Sequence, residues 1–148
     1  MEEVDHAQPS VAAEIMAIQR AAYQVEADLI GFDRIPTLHE TAGDIAALDL
    51  TVLGVRLHGE LVGLVGYRRR GDVVEIDRVA VDPSQLRKGI ASRLLQALHH
   101  READAQRFEV STGAANGPAL ALYNRFGYQR LTDDATADGL LLARFART

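Results

Sequence analysis

The sequence has no cysteine, which excludes disulfides, zinc–thiolate centres and cysteine nucleophiles. It has no uninterrupted apolar run near the ~18 residues that a membrane helix requires. The opening Met1-Glu2-Glu3 lacks the basic-then-apolar pattern of a secretory signal. An excess of positive charge is missing as well. The chain carries 16 Lys+Arg against 21 Asp+Glu, a net charge of -5, so it has no global basic face for nucleic acid. Repeats, low-complexity tracts and linkers rich in Pro, Gly or Ser are absent. Lysine is nearly absent: every basic residue except Lys88 is arginine. That bias is compositional, so a single arginine says little about guanidinium chemistry. What remains, at 148 residues with 47% hydrophobic and 25% charged content, predicts one cytoplasmic domain over residues 1–148 with a sizeable core. No partner in a membrane or a nucleic acid is expected.

Residues 1–9 are polar and predicted to fray. Ser10 is a candidate helix cap. After it Val11, Ile15, Ile18, Ala22, Val25 and Leu29 recur at helical spacing up to Gly31. Residues 31–40 read as a loop. Thr41 with Asp44 marks a short second helix to about Leu48. The period then changes to that of strands. Thr51 to Leu57 and Leu61 to Tyr67 flank the turn His58-Gly59-Glu60. Arg69 to Asp72 forms a second turn, and Val73 to Val81 a third strand. Residues 84–102 read as a helix, Arg107 to Ser111 as a strand and Pro118 to Phe126 as a helix with Gly127 past its end. Tyr128 to Leu131 and Leu140 to Phe145 are the last strands. The order α-α-β-β-β-α-β-α-β-β predicts a mixed α/β fold with a mostly antiparallel central sheet and flanking helices. The segment from 73 to 111 is its one parallel crossover.

The most informative stretch is Val79-Ala80-Val81-Asp82-Pro83-Ser84-Gln85-Leu86-Arg87-Lys88-Gly89-Ile90-Ala91-Ser92. A hydrophobic strand ends at Asp82-Pro83 and a loop leads into a helix. Helix N-termini present unsatisfied N–H groups and a partial positive charge, and Gly89 allows close approach to the backbone. With Arg87 and Lys88 alongside, the turn suits phosphate or pyrophosphate. A glycine loop that merely opens a helix explains the same residues. The turn is neither a Walker loop nor a dinucleotide fingerprint, because neither glycine pattern is present.

A strand, then Pro, then x-x-Gly-x-Ala opening a helix resembles the acyl-CoA pyrophosphate loop of the GCN5-related N-acetyltransferase (GNAT) superfamily, Gln/Arg-x-x-Gly-x-Gly/Ala. Downstream, Val110-Ser111-Thr112 followed by Asn116-x-x-Ala119-x-x-Leu122-Tyr123-x-x-Phe126-Gly127-Tyr128 resembles that family's later strand and helix. The likeness covers about residues 50–146, and residues 10–48 fit its two opening helices. One position departs: Leu86 stands where the family has Gln or Arg. Its side chain cannot bond a phosphate, which leaves the backbone N–H groups and Arg87.

The resemblance implies a GNAT-like fold and transfer of an acetyl group from acetyl-CoA to a primary amine by direct attack, with no metal. It implies that Leu86, Arg87, Lys88, Gly89, Ile90, Ala91 and Ser92 hold the pyrophosphate. Val79, Ala80 and Val81 would bond the pantetheine arm like an added strand. A backbone N–H near Val79 would face the developing oxyanion. Tyr123 would act as acid at the departing sulfur; the same residue also fits an ordinary core face. Glu75 would act as base. By period-2 alternation it shares a face with Asp77, Val79 and Val81; a solvated or ion-paired role is the alternative. Asn116 would touch pantetheine, cap the next helix, or do both. Residues 31–41 and 132–139, with Asp33, Glu40, Asp133, Asp134 and Asp138, would border a small-molecule or peptide amine. His39 could face the same cleft, whereas His58 and the pair His99-His100 read as exposed. No histidine has metal-ligand spacing. Homodimers are common among such proteins. The rival reading is a non-catalytic acyl-CoA sensor on the same fold.

Overall fold

In the computed structural model, which describes residues 1–148, the chain begins with strand β1 (Glu2–Glu3) and helices α1 (Pro9–Ile30), α2 (Pro36–His39) and α3 (Ala42–Ala46). Strands β2 (Thr51–Leu57), β3 (Glu60–Arg70) and β4 (Val73–Val81) follow, then a 3-10 turn (Pro83–Gln85) and helix α4 (Ile90–Arg101). Strand β5 (Arg107–Gly113), helix α5 (Gly117–Arg125) and strands β6 (Gln129–Arg130), β7 (Asp134–Ala135) and β8 (Leu141–Arg147) complete it. The strands form one sheet in the order β1-β2-β3-β4-β5-β8-β6, with β7 also on β8. Only β4 and β5 pair in parallel, across the α4 crossover.

Hydrophobic burial divides between the two sheet faces. On one, Leu94, Leu95 and Leu98 of α4 are fully buried with Val74, Phe108 and Tyr123. Each such leucine contributes ~1.5–3 kcal/mol over its exposed state. On the other, Ile15 and Ile18 of α1 pack with Ile45 of α3 on Val52 and Leu64. Gly63 lets α4 come close to β3: a Cβ there would lie 2.7 Å from Ile90 Cγ2.

Several expectations change here. The N-terminus is not frayed: Glu2 and Glu3 pair with β2, and Val4 is buried with its N–H on Val52 O. Helix α1 starts at Pro9 after Gln8, so Ser10 is inside it and caps nothing. Val25 and Leu29 continue the apolar stripe yet are 48% and 51% exposed. The last turns of α1 meet different neighbours, and Ala27 becomes the buried residue, with Tyr23 and Ile30 beside Ile35 and Leu38. Pro36–His39 is helical rather than loop. Thr41 and Asp44 do form a reciprocal capping box.

His99 is half-buried, not solvated. It stacks edge-on to Phe108 at 4.8 Å, its Nε2 meets the Tyr128 hydroxyl at 2.7 Å, and Arg147 donates to its Nδ1 at 2.6 Å. Burial, and then the Arg147 charge, lower its pKa to about 4. In the unfolded chain the ring titrates near ~6.5. The stabilisation is therefore complete above that value and is lost as pH falls toward 4. Between those limits the melting free energy should decline by at most ~1.4 kcal/mol per pH unit from this group. Thermal melts from pH 7 to 4 should show that slope, and His99→Phe should flatten it.

Candidate active site

The decisive local event is a β-bulge. Gly66 pairs with Arg78 and Tyr67 with Ile76, so Asp77 is an extra residue in β4. A bulge inserts one residue and reverses the facing of everything beyond it. Before it Val74 and Ile76 face α4; after it Arg78 and Ala80 face α1, while Val79 and Val81 turn toward the α4 core. Glu75 therefore does not share a face with Val79 and Val81, as simple alternation predicts. Asp77 itself is held by Arg68 at 3.3 Å and Arg78 at 2.7 Å.

The bulge accompanies a break in the ladder. β4 and β5 pair only from Val73↔Arg107 to Glu75↔Glu109 and then part. Asp82 N–H bonds Val62 O at 2.8 Å, toward β3. Strand alternation then sends the N–H and C=O of Val81 and Val79 to the opposite edge, into the gap. Tyr23 of α1 confirms the direction: its hydroxyl donates to Val79 O at 3.1 Å. Ala80 points its backbone at β3, so of the three predicted strand residues only Val79 and Val81 offer amides to a ligand.

The gap opens onto the head of α4. Gly89 precedes that helix with φ 70°, with no side-chain cap, and Arg87 has φ 67°. A serine or aspartate cap would consume an N–H; none does here. No intramolecular hydrogen bond engages the backbone N–H of residues 87–92. Leu86 N–H is bonded back to Pro83 O at 3.4 Å, so the cradle begins at Arg87 rather than Leu86. Ile90 contributes backbone alone, its side chain being buried. Arg125 of α5, absent from the sequence reading, reaches Ser92 Oγ at 3.2 Å and adds charge beside Arg87 and Lys88. This long-range contact has no signal in the local pattern. The unpaired donors and three cations fit a diphosphate. Leu86 is 55% exposed, so a polar side chain there would need no repacking. Leu86→Gln should tighten CoA binding about fivefold, the value of one added hydrogen bond, by calorimetry; an unchanged Kd rejects the idea.

Tyr123 lies on the inner face of α5 and is 4% exposed, its ring 5.5 Å from Tyr128 and 5.6 Å from Phe145. Its hydroxyl has no hydrogen-bond partner, and no sealed side-chain oxygen in the chain lacks one, so that oxygen reaches open space. Burial first, then the nearby Tyr23, Tyr128 and Glu26, push its pKa far up. It is a neutral donor at all ordinary pH. Asn116 accepts from Ala119 N at 3.3 Å and caps α5, as predicted, and its amide nitrogen is free.

On the other sheet face, a cleft of about 270 Å³ is lined by Glu75, Asp77, Glu109, Ser111 and Arg144. Glu75 and Glu109 are direct neighbours across the last paired rung. The family resemblance points to Glu75 alone; Glu109 carries no motif, although alternation in Arg107 to Ser111 puts it on this face. Glu75 lies 3.6 Å from Arg70, and Glu109 2.7 Å from Arg107. Of the acidic loop residues, Glu40 is not available to an acceptor: it is ion-paired to buried Arg78 and bonded by Gln19. Asp133 is paired with Arg130. The two loops do meet, through Arg34 and Asp138 O at 3.2 Å. His39 is turned to Asp33 O at 2.7 Å. No cluster of three or more His, Asp or Glu residues is arranged to hold a metal ion. No helix is long and apolar enough to cross a membrane.

A sequence model of the acetyltransferase (GNAT) family matches residues 13–128. The chain is 39% identical over 145 residues to the UPF0157 protein YqkA of Bacillus subtilis (strain 168), covering 98% of this chain and 42% of that one. It spans about half the length of the curated relatives it matches. Among solved structures, the ribosomal-protein-S18-alanine N-acetyltransferase from Escherichia coli superposes with a TM-score of 0.77 at 17% identity, over 98% of this chain and 90% of that one. The PaiA N-acetyltransferase from Thermoplasma acidophilum, in complex with coenzyme A, gives 0.75 at 12%, over 97% and 96%. At these identities the two structures establish the shared fold.

Proposed function

The chain belongs to the GNAT acetyltransferase family, and on that premise we propose that it moves an acetyl group from acetyl-CoA to a primary amine by direct attack in a ternary complex. The observation that carries this reading is two sets of unpaired backbone groups: the Val79 N–H with the N–H and C=O of Val81 at the gap edge, and the N–H groups of residues 87–92 at the head of α4. An extended amide chain ending in a diphosphate satisfies both, strand-like at the first and anion-like at the second.

Bound acetyl-CoA supplies an activated acyl carbon and a thiol leaving group. The protein supplies the rest. Residues 87–92, with Arg87, Lys88 and Arg125, hold the diphosphate. Val81 and Val79 align the arm, and the Val79 N–H faces the oxygen on which charge develops. Glu75, with Glu109 beside it, accepts the proton from the attacking amine, directly or through water; a free alkylamine has a pKa near ~10 and needs such help. Tyr123 donates a hydrogen bond to the departing sulfur. With its pKa raised, complete transfer of that proton to a thiolate of pKa ~8.5 is uphill. Its role is therefore stabilisation of the thiolate rather than a finished proton transfer.

The test is thiol release from acetyl-CoA against a panel of alkylamines, amino acids, aminoglycosides and peptides. Amine-dependent release is expected. Tight acetyl-CoA binding without release from any amine would instead establish the sensor reading.

A further inference from the structure

The last turns of α1 cover one side of the gap between β4 and β5. Tyr23 touches the β4 edge through Val79 O at 3.1 Å. Glu26, one turn on, touches β5: Thr112 Oγ1 donates to its Oε1 at 3.4 Å. A Cβ on Gly113 would lie 3.7 Å from that oxygen and 3.2 Å from Ile30 Cδ1. Residues three apart on a helix share a face. One face of α1 therefore spans both strands where their ladder is broken. The sequence stripe, which runs through Val25 and Leu29, gave no hint of this face.

The chemistry of the two side chains is specific. Tyr23 has one proton, and Val79 O takes it, so the phenol oxygen can only accept a further hydrogen bond. Glu26 is half-buried and in no ion pair; its one side-chain partner is the Thr112 hydroxyl. A carboxylate without a counter-ion at the edge of the gap attracts a cation that enters it. The Glu26 charge helps to raise the pKa of both the Tyr23 and the Tyr123 hydroxyl. Of the other charged groups near the gap, Arg78 is bonded to both Asp77 and Glu40, and Glu75 and Glu109 lie against Arg70 and Arg107.

We propose that Glu26 and Tyr23 form the acceptor-recognition pair of the enzyme, selecting amines that arrive as alkylammonium ions. Glu26 attracts the charge; once Glu75, directly or through water, has taken one ammonium proton, Tyr23 accepts a remaining N–H so that the freed nitrogen lone pair faces the acyl carbon near Val79. The pair is thus a specificity-determining and positioning device, and it rests on the acetyl-transfer reading above.

Steady-state kinetics with two amines at about pH 7.5 test it: an alkylamine, cationic there with pKa ~10, and an arylamine, which is neutral. Glu26→Gln should raise KM for the alkylamine about tenfold, the loss of one charge-assisted contact. It should leave kcat within about threefold, and the arylamine KM and acetyl-CoA KM unchanged. Tyr23→Phe should raise KM for both amines. Glu26→Asp, which keeps the charge on a shorter arm, should recover part of the alkylamine affinity, and it carries the test if the glutamine variant fails to fold. Equal KM changes for both amines in Glu26→Gln, no rise at all, or a parallel rise for acetyl-CoA would overturn the proposal. If the unmodified protein releases no thiol with any amine, the acetyl-transfer reading falls first, and this pair with it.

Discussion

Tyr123→Phe should lower kcat for amine acetylation by about a hundredfold, the low end of what one positioned proton donor supplies. CoA affinity and melting temperature should stay where they are. The reason for expecting so clean a separation is structural. The Tyr123 hydroxyl bonds no group in the chain, and its ring, packed between Tyr128 and Phe145, is kept by phenylalanine. Removing the oxygen therefore strands no partner, and the usual cost of an orphaned polar group does not arise. What is lost is a neutral donor at the gap. Its raised pKa also predicts that no tyrosine ionisation appears in the rate profile up to the limit of enzyme stability. Single-turnover rates with calorimetry of CoA binding provide the check. An unchanged rate would assign the residue to the core alone.

Gly89→Ala should weaken CoA binding by about tenfold or more while costing only ~1–2 kcal/mol of stability, the price of a left-handed conformation in a residue with a Cβ. No protein atom lies within 4 Å of the added Cβ, so the methyl meets nothing in the free protein. Relaxation of φ from 70° would re-aim the N–H groups at the head of α4. Gly59→Ala is the matched control. Gly59 has φ 82° and equally open surroundings, but it sits in the β2–β3 turn. Both variants should lose a few degrees of melting temperature, about 2–4 °C per kcal/mol at this chain length. Only Gly89→Ala should lose CoA affinity. Equal affinity in both would place the diphosphate elsewhere.

Local signals in the sequence were sufficient for the elements that carry their own punctuation. Asn116 with Pro118, Thr41 with Asp44, and the Gly89 entry to α4 each announce a helix by side-chain or backbone chemistry within four residues. The two downstream motifs ordered those elements into the family fold. What stayed hidden depends on contacts distant in sequence. β1 is two residues long and exists because β2 offers it an edge. His99 looks solvated beside His100 until Phe108, Tyr128 and Arg147 close on it. Glu40 looks like an acceptor ligand until Arg78, thirty-eight residues on, takes it. Arg125, Glu109, Tyr23 and Glu26 enter the site for the same reason: folding, not adjacency, assembles them. The bulge is the sharpest case. Period-2 reasoning on Val73–Val81 is correct on each side of Asp77 and wrong across it.

Asp77 thus lets odd-numbered residues of β4 serve opposite faces: Glu75 looks into the cleft, while the Val79 and Val81 side chains turn toward α4. Its identity is replaceable in principle, since its own atoms serve only Arg68 and Arg78. Its presence shapes the strand: were Asp77 deleted, Ile76 and Arg78 would become ordinary neighbours on opposite faces and only the bend would go, whereas losing any other single residue of β4 would turn one half over. Descendants of this chain can therefore vary the letter at this position far more freely than the spacing around it.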